Sequence, residues 1–207
     1  MKKIILIGGG GHALSVLEMI EDQSIFAGYV DLQPNEYMTI PYLGNDEEVL
    51  NKYSPSEYEI HHALVYAKDV NLRLRRLMIQ KYAEYKVATL KAASSVITNN
   101  SMIGDGSGIF HGVVLNKSCI GYNCIINTGA VIEHNSVLGN NVFVGPNATI
   151  CGNANIGDNV LIGAGSIIRD GISICKDVVI GMGSVVVKDI TKPGVYVGMP
   201  VKFTKEL

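Results

Sequence analysis

The sequence has no surplus of positive charge, no paired-cysteine spacing and no long apolar run, and each absence removes a class of function. Its 207 residues carry a net charge of −2, so nothing in them attracts a polyphosphate backbone and nucleic acid is not an expected partner. The four cysteines, Cys119, Cys124, Cys151 and Cys175, form no CxxC pair and read as reduced packing residues rather than metal ligands, which favours the cytoplasm. The apolar run in the opening MKKIILIGGG ends in glycines after four residues, too soon for a signal peptide, and no stretch is long enough to span a membrane. Histidine is scarce as well. Only His111 and His134 fall in the C-terminal half, too few for a zinc site built from three histidines, and no metal is expected.

What is abundant is a period of six. Thirteen aliphatic residues stand six apart from Val114 through Ile120, Ile126, Ile132 and onward to Ile180 and Val186. If about a third of residues were Ile, Leu or Val, that register would arise by chance on the order of once in a million tries. A period of six fits neither a helix nor a hairpin sheet, but it fits a parallel β-helix with three hexads to a triangular coil. The third residue after each aliphatic from Ile120 on is Gly, Asn or Asp, from Asn123 to Asp189, which predicts a left-handed backbone position at the corners. The fourth is mostly small, as at Ser118, Cys124, Ala130 and Ser136, and the first is often Gly, as at Gly121, Gly139 and Gly157, where backbones can approach closely. The pattern extends upstream through Ile97, Ile103 and Ile109, with corners expected at Asn100, Gly106 and Gly112; Ile109 to Val114 is one residue short, so a corner residue is expected to be missing there.

The first 90 residues read differently. Lys3–Ile7 is a predicted strand, Gly8 to Gly11 a tight turn, 13–21 an amphipathic helix carrying Leu14, Leu17 and Met19, and 25–30 a second strand ending in Asp31. Asn45 or Asp46 caps a further helix, 60–66 is a third strand opening with His61 and His62, and 70–85 is a helix whose Arg73, Arg75 and Arg76 form a charged face, with Arg73 within possible reach of a phosphate. There is room for about four strands. The expected division is a Rossmann-like α/β domain over 1–90 and an all-β left-handed parallel β-helix over 91–207.

The turn Gly8-Gly9-Gly10-Gly11-His12-Ala13 satisfies the G-x-G-x-x-A pattern and is followed by an acid at the end of the second strand. Glycines let backbone N–H groups approach a diphosphate at a helix N-terminus, and a carboxylate can accept ribose hydroxyls. The pattern is open to three readings: a nucleotide-diphosphate site, an NAD site, or a bare structural turn. The small domain has space for one mononucleotide half, which disfavours NAD. His12 is open to two, a ligand contact or a helix cap.

Both halves together resemble the bacterial sugar O- and N-acetyltransferases that join a Rossmann-like N-terminal domain to a left-handed β-helix of hexapeptide repeats, including UDP-4-amino-sugar N-acetyltransferases and sialic acid O-acetyltransferases. The resemblance is carried by Gly10-Gly11-His12, by Ile126-Asn127-Thr128-Gly129-Ala130-Val131-Ile132-Glu133-His134, and by the closing Gly198-Met199-Pro200-Val201-Lys202. It implies transfer of acetyl from acetyl-CoA to the amino group of a nucleotide-linked amino-sugar in surface glycan synthesis, by a homotrimer. It further implies that His134 is the general base, with Asn135 and Glu133 beside it. Gly152 matches the position whose amide faces the thioester oxygen, while Phe143, Ala164 and Met182 match positions around the cofactor. Gly10, Gly11, His12, Asp31 and Ala67 match the nucleotide-sugar site.

The chain departs from the family's pattern in several places. Asn135 stands where an acid usually follows the catalytic histidine; an acid there would fix the ring's tautomer, but position 135 also belongs to the corner column, which explains an Asn independently. Glu133 is a possible substitute, although its place in the chain should point it elsewhere. Phe143 replaces a second histidine, Leu32 a second acid, and Ala67 a glycine. Two other readings remain: O-acetylation of sialic acid or another sugar hydroxyl, and a non-catalytic β-helix assembly or nucleotide-sensing subunit.

Overall fold

The computed structural model describes residues 2–65 and 72–207, with the backbone alone for 72–76, so that Ala67 and the side chains of Arg73, Arg75 and Arg76 lie outside the described residues. The chain forms two compact units, Met1–Leu90 and Lys91–Leu207.

In the first unit β1 (Lys3–Ile7), β2 (Phe26–Val30) and β3 (Tyr58–His62) form a parallel sheet in the order β2-β1-β3. The apolar runs are short because each strand is buried along most of its length, as expected of a parallel sheet covered by helices. The helix α1 (Gly11–Glu18) starts two residues before the predicted position and buries Ala13, Val16 and Leu17, with Met19 closing it. The helix α2 (Asp46–Lys52) is capped by Asn45, whose side chain accepts from Glu47 and Glu48 N–H while the Glu48 carboxylate accepts from Asn45 N–H, a reciprocal capping box. The helix α3 (Leu72–Lys81) leads to Tyr82 and Tyr85, which pack with Val49, Ile5, Ile7 and Ile60 into one core. Two sequence expectations change here. Among the described residues the sheet has three strands, and β3 begins earlier than predicted, so His61 and His62 close the strand as buried residues instead of opening it.

The second unit is the predicted prism. Two-residue strands stack in parallel on three faces, each inward aliphatic over the next, and successive coils are 18 residues apart. Ile126, Ile132, Leu138, Val144, Ile150 and their successors are almost wholly buried, as is the small column from Ser118 to Ser184. The serines in that column also bond between coils: Ser136 Oγ donates to Cys151 O and accepts from Ala154 N–H, and Ser166 repeats the pattern at another corner. Positive φ values occur at Asn123, Gly129, Asn135, Asn141, Asn147, Asn153, Asn159, Gly165, Gly171, Asp177 and Gly183, and upstream at Gly106 and Gly112. Asn100 and Asp189, the outermost predicted corners, are not left-handed. The Asp189 carboxylate instead accepts from Ser173 N–H.

The register break falls one hexad later than the sequence suggested. Leu115, not Val114, is the inward residue, because it pairs with Ile132 on one side and Ile97 on the other. Val114 is half-buried and turned outward, so its place in the sequence ladder is a coincidence of two adjacent aliphatics. The short turn therefore runs from Leu115 to Ile120, Lys117 takes the left-handed corner at φ 48°, and coils across it are offset by 17 residues. Beyond Val186 the chain adds Gly194–Val197 to one face and returns as an antiparallel strand, Lys202–Lys205.

Candidate functional site

Two of the prism's three corners carry glycine directly after the inward aliphatic, and an added Cβ there would meet the next coil's backbone at 2.4–2.6 Å, as at Gly121, Gly145, Gly157 and Gly163. The third corner carries Asn116, Glu133, Cys151 and Arg169 in that position, so side chains project along its whole stack, whereas the other two break their glycines only at Phe110, Asn127 and Cys175. His134 stands on this corner. Its ring lies against the α-carbon of Gly152, where an added Cβ would be 2.6 Å from both Cε1 and Nε2. Asn153 N–H donates to His134 O at 2.8 Å and anchors the backbone beneath the ring.

Glu133 does not point away from His134, as its position in the chain had suggested. Its Oε2 lies 3.4 Å from His134 Nδ1 and accepts from His134 N–H at 3.3 Å. Strict alternation of side chains holds on the flat strand, whereas at the turn into Asn135 consecutive residues both face outward. Asn116 Nδ2 donates to the same oxygen at 2.9 Å. These hydrogen bonds, that from Asn116 foremost and then those from His134, hold the Glu133 carboxyl below the usual carboxylate range. A carboxylate facing Nδ1 favours the tautomer protonated there and leaves Nε2 as the basic nitrogen. Asn135 is engaged elsewhere: its Nδ2 donates to Asn153 Oδ1 at 3.2 Å, one rung in a corner ladder, and its φ is 58°. Cys151 lies in the same corner, and burial, with the nearby Asp170 and Glu133 carboxylates, pushes its thiol pKa up, so it stays protonated.

The remaining cofactor candidates lie elsewhere on the prism. Phe143 is half-buried on a strand between Ile125 and Leu161, and Ala164 and the exposed Met182 follow one another on a different corner. Within one chain, then, the structure groups Glu133, His134, Asn135 and Gly152, and sets Phe143, Ala164 and Met182 apart from them. The sequence reading missed Asn116, which aligns with Glu133 only once the short turn is correctly placed.

In the N-terminal unit the glycine turn is tied to the second strand. Gly9 N–H donates to Asp31 Oδ2 at 2.8 Å, Leu32 N–H to Oδ1 at 2.7 Å, and Asn35 Nδ2 to Gly9 O at 2.7 Å. An added Cβ at Gly9 would strike the Tyr29 ring at 2.5 Å, and Gly8 has a φ of 110°, so both positions require glycine. Gly10 and Gly11 have open space around their α-carbons and form the N-terminus of α1. The cap position is Gly10, so His12 lies inside the first turn and does not cap the helix. Beside the turn is a cavity of about 280 Å³ lined mainly by Ile7, Val30, Leu64 and Met78, with Asp31 and Asp46 also in its wall. Asp46 is held by Tyr82 Oη at 2.6 Å and Lys81 Nζ at 2.8 Å. Among the described residues, no helix is long and apolar enough to cross a membrane.

Residues 3–69 match the PglD N-terminal domain, and residues 116–146 and 153–188 match the hexapeptide repeat of succinyl-transferase. The acetyltransferase domain of PglB from Neisseria gonorrhoeae, also solved with acetyl coenzyme A, superposes with a TM-score of 0.88 at 27% identity, covering 99% of this chain and 100% of that one. PerB from Caulobacter crescentus, solved with CoA and GDP-perosamine, gives a TM-score of 0.87 at 27% identity over 99% of this chain and 98% of its own. WeeI from Acinetobacter baumannii shares the fold, with a TM-score of 0.81 at 21% identity, over 99% of this chain and 100% of its own. No curated protein sequence matches.

Proposed function

We propose that this chain, which belongs to the sugar acetyltransferases joining a Rossmann-like N-terminal domain to a left-handed hexapeptide β-helix, moves the acetyl group of acetyl-CoA to the amino group of a nucleotide-linked sugar. The observation that carries this reading is the cluster at one prism corner: a half-exposed imidazole, a carboxylate at Nδ1, and glycine in place of any side chain under the ring. The likeness to PglB and to PerB, which binds CoA and GDP-perosamine, supports both substrates.

In this mechanism His134 Nε2 takes a proton from the acceptor amine as its nitrogen attacks the thioester carbonyl. Glu133 holds the imidazole and stabilises the imidazolium that forms. The Gly152 amide supplies a donor to the developing oxyanion, and the thiolate of CoA leaves with the returned proton. Direct transfer is favoured over an acetylated enzyme because burial raises the pKa of the Cys151 thiol in the same corner and weakens it as a nucleophile. Asn135 serves the coil and not the base.

Phe143, Ala164 and Met182 are proposed to line the pantetheine path, and Gly10, Gly11, His12 and Asp31, with Ala67, the nucleotide site; an apolar cavity with Asp31 and Asp46 in its wall suits a base and ribose of a UDP-linked 4-amino-sugar. A homotrimer is supported by one prism face whose outward positions, Val96, Val114, Val131, Thr149, Ile167 and Val185, are apolar or β-branched, with Val96 57% and Ile167 45% exposed. A requirement for acetyl-CoA is what supports a cytoplasmic location. Incubation with acetyl-CoA and a panel of UDP-, GDP- and dTDP-linked amino-sugars, following thiol release, tests the reading. Turnover on a nucleotide-linked amine is expected; turnover on sialic acid and on no amine would replace it with O-acetylation.

A further inference from the structure

Upstream of the last strand, the hexapeptide coils break their 18-residue repeat at the corner that carries His134. In the full turn, Ile132 is followed by Glu133, then His134, then Asn135 at a φ of 58°. In the short turn, Leu115 is followed by Asn116 and at once by Lys117 at a φ of 48°, whose carbonyl accepts from Asn135 N–H. Asn116 thus aligns with Glu133, while Lys117 combines the left-handed φ of Asn135 with the carbonyl role that His134 O plays towards Asn153 N–H. The short turn therefore has one residue, Lys117, where the next coil has both His134 and Asn135.

We propose that this shortened turn aims the base: Asn116 is a positioning residue that holds the Glu133 carboxylate against His134, and the missing corner residue leaves that side of the imidazole clear for the acceptor. The geometry has two parts. First, a single oxygen, Glu133 Oε2, receives Asn116 Nδ2 at 2.9 Å and sits 3.4 Å from His134 Nδ1, so the amide fixes the rotamer that faces the ring. Without that donor, the 36% exposed Glu133 side chain keeps only the 3.3 Å bond from His134 N–H and an exposed ion pair, which together hold it less firmly against the ring. Second, Gly152 already occupies the other side of the ring, so a full-length turn would enclose the imidazole between two coils. The lowered pKa of Glu133, with Asn116 its leading cause, agrees with the first part.

The proposal rests on the acetyltransferase reading, and its test separates the two. Asn116→Ala and Glu133→Gln are made singly and together, and a third variant inserts one glycine between Asn116 and Lys117 to restore a turn of six, a length the neighbouring corners all use. The Glu133 carboxyl titration, followed by 13C NMR and assigned by its loss in Glu133→Gln, needs no substrate. In Asn116→Ala its midpoint is expected to rise towards that of an ordinary glutamate. With substrates, Asn116→Ala is expected to lower kcat about tenfold with KM for acetyl-CoA unchanged, and the double variant to be no slower than Glu133→Gln alone. The insertion is expected to lower kcat while leaving the circular-dichroism melt in place. An unmoved titration, wild-type kcat in Asn116→Ala, or additive losses in the double variant would overturn the positioning role, and wild-type kcat in the insertion variant would overturn the clearance. Absence of any acetyl transfer by the unmodified protein would sink the function instead, while the titration would still decide whether Asn116 holds Glu133.

Discussion

Replacing Gly152 with alanine separates the chemistry of this corner from its stability. The new methyl group would stand 2.6 Å from His134 Cε1 and Nε2 and 3.1 Å from Cδ2. The ring would have to retreat by about 1 Å before the contact became ordinary. A misplacement of about 1 Å in a catalytic group costs on the order of a hundredfold in rate, and the alanine keeps the backbone amide proposed for the oxyanion, so the loss would belong to the imidazole. The fold has little reason to suffer. Gly152 is not among the residues of positive φ, and its neighbours on the stack carry side chains. Gly→Ala at a compatible position stabilises by about 0.4–1 kcal/mol through the unfolded state, worth a few degrees at most, so Tm is expected to stay within about 4 °C of the parent. Thiol release under saturating acetyl-CoA gives kcat, and differential scanning calorimetry gives Tm. A Gly152→Ala protein with kcat within threefold of the parent would show that the placement of His134 over Gly152 does not matter for turnover, and the site as described would fall with it.

Asn135→Asp is expected to leave kcat within about threefold, because the Asn135 amide bonds to Asn153 and not to the imidazole; a tenfold fall with folding intact would show that Asn135 acts on the base. Tyr82→Phe removes the hydroxyl that donates to Asp46 at 2.6 Å, and burial, reinforced by Asp46, holds that phenol protonated well above its ordinary range. It is expected to cost about 1.5 kcal/mol in urea unfolding, as hydrogen bonds to charged groups do, with m unchanged. Because the Glu133 pKa is depressed in the folded chain, the stability it contributes is present above the ordinary carboxylate range and is lost as pH falls through its folded value. The stability difference between the parent and Glu133→Gln should therefore be flat near neutral pH and shrink in acid; a difference that grew in acid would reverse the sign of the argument.

The prism was legible because its period is a direct image of its geometry. One inward aliphatic, one corner and one small residue recur in each hexad, and the positive φ values at Asn123 through Gly183 fall where Gly, Asn and Asp recur. The ladder misled at Val114, where two adjacent aliphatics satisfied the period and only backbone pairing distinguishes Leu115 as the inward one. That single displacement hid Asn116, the residue that bonds to Glu133. The direction of Glu133 was misread for a different reason, since alternation along a strand does not extend through a corner. In the N-terminal unit the glycine turn and Asp31 were readable as a local motif. The rest of the cavity, with Asp46, Leu64 and Met78, comes from separate segments that only tertiary packing assembles. The burial of His61 and His62 likewise follows from the start of β3 at Tyr58, two residues before its apolar run begins.

The most direct measurement of the central claim is the single-turnover rate of His134→Gln on an amino-sugar nucleotide that the parent acetylates, with acetyl-CoA affinity measured alongside. Loss of a general base is expected to slow the acetyl-transfer step about a thousandfold while leaving acetyl-CoA affinity within twofold. A variant that transfers acetyl within tenfold of the parent would contradict the assignment of the reaction to this corner.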